Sequence, residues 1–285
     1  MLTAWCPARA LGESSDRFRL IALDLDGTLL RSDGTISERT RRALSAATSA
    51  GLTVVSVTAR PPRRVRQLAS AIGLDGLAIC TNGGVLYDLT SDTLLQQTRL
   101  SGELAGELVL RLRRAAPGVC FAVEVGAHYG CEPAYTIPRE HSSDRVDPAL
   151  RRADALVLAA QGVTKLIVQH PEWPLTRLLQ LATEHAEGQV SVTHSGSNFV
   201  EVAALSVTKA SALEAHCREL AIAREAVVAF GDMPNDLPML AWAGHAVAVA
   251  NAHAEVLAIA DELTASNDED GVARVLERLA REAMG

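Results

Sequence analysis

Two carboxylates set two residues apart, Asp24 and Asp26 in the run DLDGT, close an otherwise apolar segment that includes Leu20, Ile21, Ala22, Leu23 and Leu25. Strand residues two apart point the same way, so this spacing puts both acids on one side of a strand end. Two acids ending a buried strand are costly unless they do something there. Gly27 permits a tight turn, and Thr28 can satisfy nearby backbone groups. Three further sets supply groups of complementary kind. Thr58 ends the run VVSVTAR, where a hydroxyl can bind a phosphate oxygen, and Arg60 lies close by. Lys209 in SVTKASAL stands near the start of a helix, an end that favours anions over cations; the placement makes sense if lysine and helix share a bound phosphate. Asp232, Asn235 and Asp236 in GDMPNDLPML follow the apolar run VVAF, and oxygen donors at a strand exit suit a hard divalent cation such as Mg2+.

Taken singly, each set has a plainer explanation. An acidic turn, a solvent-facing arginine, a surface lysine and a helix-capping aspartate are all common. Those explanations leave one thing over: both acidic clusters end apolar strands.

The elements that must position these residues follow a regular rhythm. The first apolar run predicts a buried parallel strand, and a helix from about Ser37 carries Ala43, Leu44 and Ala47 to Gly51. LTVVSVTAR is a β-branched strand, Pro61 and Pro62 start a helix with Val65, Leu68, Ala69 and Ile72 on one face, and LAICT is a third strand. The same alternation returns in VVAFGD, DLPMLAWAG, HAVAVAN, AHAEVLAIA, ELTAS and DGVARVLERLAREAM. Strands alternating with helices predict an α/β, doubly wound, mostly parallel sheet of Rossmann-like type. Between the two blocks lies a stretch that mixes helical pieces with strands such as VCFAVEV and VTKLIVQH, around a polar, proline-bearing connection. It reads as an inserted α+β domain between the second and third sets. The boundaries predicted are residues 1–17 as a disordered extension, 18–86 and 196–285 as the two parts of the core, and 87–195 as the insertion.

The four sets, in this order, resemble the motifs of the haloacid dehalogenase-like hydrolase superfamily, and within it the Cof-like subfamily of small-molecule phosphatases. CTNGG at 80–84, FVEVA at 199–203 and SNDEDGVARVLE at 266–277 extend the likeness. The resemblance implies a phosphatase whose nucleophile is Asp24 and whose general acid/base is Asp26. It implies that Thr58 and Lys209 hold the transferring phosphoryl group, with Asn82 and Gly83 in a loop near the phosphate. Mg2+ would be bound by Asp24, the Asp26 backbone carbonyl and Asp232, with Asn235 and Asp236 in support. The insertion corresponds to the family's cap, which closes over the site and selects a small phosphorylated metabolite. Ala59 stands where the family commonly has glycine, and Arg60 is given no role. Glu124, His128, Tyr129, Arg139 and Lys165 are polar groups of the insertion that could face a ligand; none is singled out.

Composition narrows the alternatives. The 285 residues carry a formal charge of −7, against the basic footprint that nucleic-acid binding needs. No run reaches the ~18 apolar residues of a membrane span. Five cysteines without a CxxC pair, and a start unlike a secretory signal, predict reduced thiols in the cytoplasm. A phosphomutase or phosphotransferase on the same scaffold, a phospho-accepting signalling domain and a silent binding protein of this fold are the rival readings. A dinucleotide-binding oxidoreductase is disfavoured, since no GxGxxG follows the first strand. The oligomeric state is left open.

Overall fold

The computed structural model describes residues 18–138, 142–145 and 147–285. The extension predicted at residues 1–17 lies outside the described residues, as does Arg139. β1 (Leu20–Leu23) is buried along its whole length, as its unbroken apolar run predicts. α1 (Glu38–Ser49) starts on Ser37, whose side chain accepts from the Thr40 amide. After β2 (Thr53–Val57), α2 (Pro62–Ile72) opens on proline and ends on Gly73 at φ 72°, the left-handed conformation that glycine adopts without strain. β3 (Leu77–Cys80) leads into a hairpin of β4 (Val85–Asp88) and β5 (Thr93–Gln97).

The chain then builds a second sheet. Its elements are α3 (Gly102–Ala115), β6 (Cys120–Val125), β7 (His128–Cys131), α4 (Ser142–Arg145), β8 (Arg151–Arg152), α5 (Ala155–Ala159), β9 (Lys165–Gln169), α6 (Leu175–Ala186), β10 (Val190–Thr193) and β11 (Val200–Ala204). It returns through α7 (Lys209–Glu219), β12 (Val227–Gly231), α8 (Leu237–Trp242), β13 (His245–Ala248), α9 (Ala254–Ile259), β14 (Glu262–Leu263) and α10 (Gly271–Met284). Among the described residues, no helix is long and apolar enough to cross a membrane.

The first sheet runs β14-β13-β12-β1-β2-β3-β4-β5, parallel from β14 to β3 with the β4–β5 hairpin antiparallel at its edge. β1 alternates across it: Ile21 and Leu23 join the cluster with α1 and α10, while Leu20 and Ala22 join the one with α7 and α8. The second sheet runs β10-β11-β9-β6-β7-β8. On one face Phe121 and Val123 pack with Val109, Leu112 and Leu178 of its helices. The other face carries Ala122, Ile167 and Phe199, and among them the charged Glu124, Lys165 and Glu201.

Sheet membership shifts the predicted boundaries. β4 and β5 pair in the first sheet and β11 in the second, so the crossovers fall after Gln97 and after Ala204 rather than at 86/87 and 195/196. FVEVA is a β-branched strand in either sheet; pairing partners decide its place, and those are invisible to local pattern.

His216 of α7 is buried, neither ring nitrogen has a hydrogen-bond partner, and Nδ1 lies 3.9 Å from Glu219. Burial lowers its pKa and outweighs the opposing Glu219 charge. The unfolded chain therefore takes up this proton near pH ~6.5 while the fold still excludes it, so stability falls as the pH drops through that value. His216→Leu should flatten this part of the stability curve. Urea midpoints between pH 7.5 and 5 check it; a difference from wild type that does not vary with pH would count against it.

Candidate active site

Strands β12, β1 and β2 are adjacent and parallel, and the chain order reverses about β1. Open α/β sheets bind ligands beyond the carboxyl ends of strands at such a point. Asp24 follows β1, Thr58 follows β2 and Asp232 follows β12, so residues far apart in sequence meet at one edge.

Past β1 the chain does not stay extended. Residues 25–29 form a wide helical turn in which Gly27 takes φ 78°. Asn251 Nδ2 holds the Gly27 carbonyl at 2.8 Å and Asn267 Nδ2 holds that of Leu30 at 2.9 Å. Asp24 and Asp26 line one cavity, and the turn rather than strand alternation sets where each points. Each finds its own cation. Asp24 Oδ1 accepts from Lys209 Nζ at 2.5 Å. Asp26 receives a two-pronged bond from Arg60, with Nε to Oδ2 at 2.7 Å.

Lys209 is the first residue of α7, which Thr208 and Ser211 start with a reciprocal capping box. Its ammonium is buried and also donates to Asp236 Oδ1 at 2.6 Å. These two carboxylates offset the helix-start field that a cation would otherwise oppose. Asp236 Oδ2 accepts the amides of Asp232 at 3.1 Å and Met233 at 3.0 Å, so both its oxygens are engaged. Asp232 Oδ1 accepts from Thr28 Oγ1 at 2.8 Å.

Asp24, Asp232 and Asp236 are all buried and can bring ligand oxygens within 4.8 Å of one another. The Lys209 ammonium bonds two of these three carboxylates, and Asp232 lies beside them. Burial, partly opposed by Lys209 and reinforced by Asp236 and Asp232, raises the Asp24 pKa well above its usual value. Burial and the Asp236 charge lift Asp232 to about 6. For Lys209 burial alone would lower the pKa, but the Asp236 and Asp24 charges raise it instead. Asp26 behaves oppositely: burial acts to raise its pKa, and the Arg60 bond and charge, with Arg64 and Lys209, outweigh it and hold it low. The cluster fits a divalent cation, being made of hard oxygen donors with two negative charges in excess. Asn235, which lines the adjoining cavity, also leaves its buried Oδ1 without a partner.

The other predicted residues are placed as follows. Thr58 is buried at the end of β2, and its Oγ1 accepts the Arg60 amide at 3.1 Å. Asn82 donates to Glu201 Oε2 at 3.2 Å and accepts from Asn235 Nδ2 at 3.1 Å, bridging the second sheet to the GDMPND turn. Gly83 abuts α7 from behind: a Cβ there would lie 2.2 Å from the Thr208 carbonyl. Sequence reasoning missed Arg60, and did not single out Glu124 or Lys165 in place of their neighbours. Both line, with Asp24 and Asp26, a cavity of about 660 Å³, the size of a small-molecule site. His128 and Tyr129 do not line it.

A family model described as haloacid dehalogenase-like hydrolase matches residues 21–276. Pyridoxal phosphate phosphatase YbhA of Escherichia coli (strain K12) is 30% identical over 265 residues, covering 90% of this chain and 97% of its own length. 5-Amino-6-(5-phospho-D-ribitylamino)uracil phosphatase YcsE of Bacillus subtilis (strain 168) is 29% identical over 258 residues, covering 90% and 94%. Among solved structures, a haloacid dehalogenase-like hydrolase from Bacteroides thetaiotaomicron superposes with a TM-score of 0.76 at 29% identity, over 92% of this chain and 100% of the other.

Gly27 makes the closest approach in the acidic cluster. A Cβ on it would fall 2.4 Å from Asp232 Oδ2, and its φ of 78° strains any other residue. Gly27→Ala should therefore cost about 1–3 kcal/mol of stability. Denaturant unfolding of the metal-free protein checks this, and an unchanged midpoint would show that the turn does not press on Asp232.

Proposed function

The chain belongs to the haloacid dehalogenase-like hydrolase family and is a phosphoric monoester hydrolase, and on that premise we propose that it uses Mg2+ to hydrolyse a small phosphorylated metabolite through an aspartyl-phosphate on Asp24. The observation that carries this reading is the buried ammonium of Lys209 held between Asp24 and Asp236, with Asp232 beside them. A carboxylate attacking a phosphate monoester meets like-charge repulsion, and an ammonium beside that carboxylate would offset it. Asp24, the Asp26 carbonyl and Asp232 would hold the metal, with Asn235 and Asp236 in support. When bound, Mg2+ supplies charge neutralisation at the phosphoryl oxygens.

Asp24 attacks phosphorus in line and the ester bond breaks. Asp26 gives its proton to the leaving oxygen, then takes one from the water that hydrolyses the aspartyl-phosphate. Arg60 holds Asp26 in the ionised form. That form suits the second half of the cycle, and the first half requires Arg60 to part from it. A phosphoryl group is a natural competitor for a guanidinium. Thr58 and Lys209 would hold the transferring group; Asn82 and Gly83 support that loop from behind. The named substrates of YbhA and YcsE are phosphorylated small molecules, which supports the same class here. The cavity volume supports it too. Four cysteines, Cys80, Cys120, Cys131 and Cys217, are free thiols, which supports action in the cytosol.

Asp24→Asn should lower phosphate release at least about 1,000-fold. Because three carboxylates compete for one ammonium, the metal-free variant should unfold no earlier than wild type. Turnover assays with a thermal melt check both, and wild-type-like turnover in this variant would end the assignment. Chelation should likewise abolish phosphate release, and added Mg2+ should restore it. Full activity in protein shown by elemental analysis to be metal-free would refute the metal requirement.

A further inference from the structure

Beside the cavity lies a cluster of buried charges, Lys165, Glu201, Arg63, Asp144 and Glu124, in which every carboxylate oxygen but one has a donor. Lys165 Nζ bonds Glu201 and, at 2.7 Å, the Ala59 carbonyl. Arg63 gives Nε and Nη2 to the two oxygens of Asp144, each at 3.0 Å, and its Nη1 is buried without a partner. Glu124 receives what is left: a 3.4 Å contact from Arg63 on Oε1, and Lys165 Nζ at 3.9 Å from Oε2, beyond hydrogen-bond reach. Glu124 is 3% exposed, and its Oε2 has no hydrogen-bond partner at all.

A buried carboxylate oxygen without a donor is penalised, because it has lost water and gained nothing in return. This one lies on the cavity wall, in the same space that Asp24 and Asp26 open into. β6 places it there by alternation, since Phe121 and Val123 face the helices while Ala122 and Glu124 face the cavity side. An occupant of the cavity can supply the missing donor. Two cations already flank Glu124, so a neutral hydroxyl adds a bond without bringing a third positive charge.

Resting on the phosphatase reading, we infer that Glu124 is a specificity-determining residue: its Oε2 accepts a hydrogen bond from a hydroxyl on the alcohol portion of the phosphate ester. The preferred substrates are then hydroxylated alkyl phosphates, and esters of the same size without hydroxyls are rejected. Rejection follows because they leave Oε2 buried and unpaired.

The test compares kcat/KM, with Mg2+ present, for glycerol phosphate, ribose 5-phosphate and hexose 6-phosphates against cyclohexylmethyl phosphate, a ring of hexose size without hydroxyls. Glucosamine 6-phosphate adds an ammonium arm. Wild type should favour at least one hydroxylated ester, and Glu124→Ala should lower that preference ratio about 10–100-fold. Glu124→Gln, which keeps an acceptor of the same shape, should fall between the two. The ratio is read on one enzyme preparation, so partial unfolding cancels from it. An unchanged ratio in both variants, whether the rates fall together or not at all, overturns the inference while leaving the phosphatase reading intact. A Glu124-dependent preference confined to the ammonium ester overturns the choice of hydroxyl. Absence of phosphate release from every ester by wild type overturns the phosphatase reading and this inference with it.

Discussion

A single buried ammonium shared by two carboxylates organises the site. Asp24 and Asp236 accept hydrogen bonds from the buried Lys209 ammonium, and that ammonium in turn offsets the burial of the two acids beside Asp232. The three contributions come from β1, α7 and the turn after β12, so the ion cluster also ties the two halves of the first sheet together. The balance is incomplete, with three negative charges against one positive. That imbalance is what makes the place suitable for a divalent cation, and it explains why the Asp24 and Asp232 pKa values rise.

Much of this was legible in the sequence, for a physical reason. An acid at the end of an apolar run contrasts sharply with what precedes it, so DLDGT and VVAFGD announce both strand and site. Arg60 offers no such contrast. Arginine beside a strand end is ordinary, and its partner Asp26 comes within reach only once β2 lies next to β1 and the chain turns at Gly27. Glu124 and Lys165 were visible as polar residues of the insertion, but the choice among five candidates was not. Their meaning rests on the antiparallel register that sets Glu124 opposite Lys165, and on which face of the second sheet the helices cover. Asn82 was expected near phosphate on resemblance; its amide donates to the Thr58 carbonyl at 3.0 Å, and its side chain spans Glu201 and Asn235.

The two sheets meet through polar contacts more than through apolar burial. Lys165 reaches the Ala59 carbonyl, Asn82 reaches Glu201, and Arg63 reaches Asp144 and Glu124. Each bond crosses from one sheet's elements to the other's. A contact of this kind fixes the relative orientation closely, because donors and acceptors must line up. It loses less when water enters than an apolar seam of equal area would, since separated ions and amides are rehydrated. The cavity between the sheets is therefore walled by groups that tolerate both solvent and a polar occupant.

Asp24 and Asp26 show how a few ångströms of backbone set chemical role. Had the strand continued, alternation would have pointed both acids at one environment and given them similar proton affinities. The helical turn after Asp24, made possible by Gly27 in the left-handed region, separates them instead. Asp24 turns into the buried acidic cluster, where desolvation and like charge raise its pKa. Asp26 turns to the rim, where the guanidinium of Arg60 lowers it. Two carboxylates of the same type thus acquire opposite tendencies, each the reverse of what the first step needs: Asp24 must be ionised to attack, and Asp26 protonated to give a proton. A divalent cation among Asp24 and Asp232 would lower the proton affinity of Asp24 and leave its oxygen free to attack. Asp26 must make the opposite move, and it can give a proton to the leaving oxygen only once the Arg60 guanidinium that lowers its pKa has parted from it.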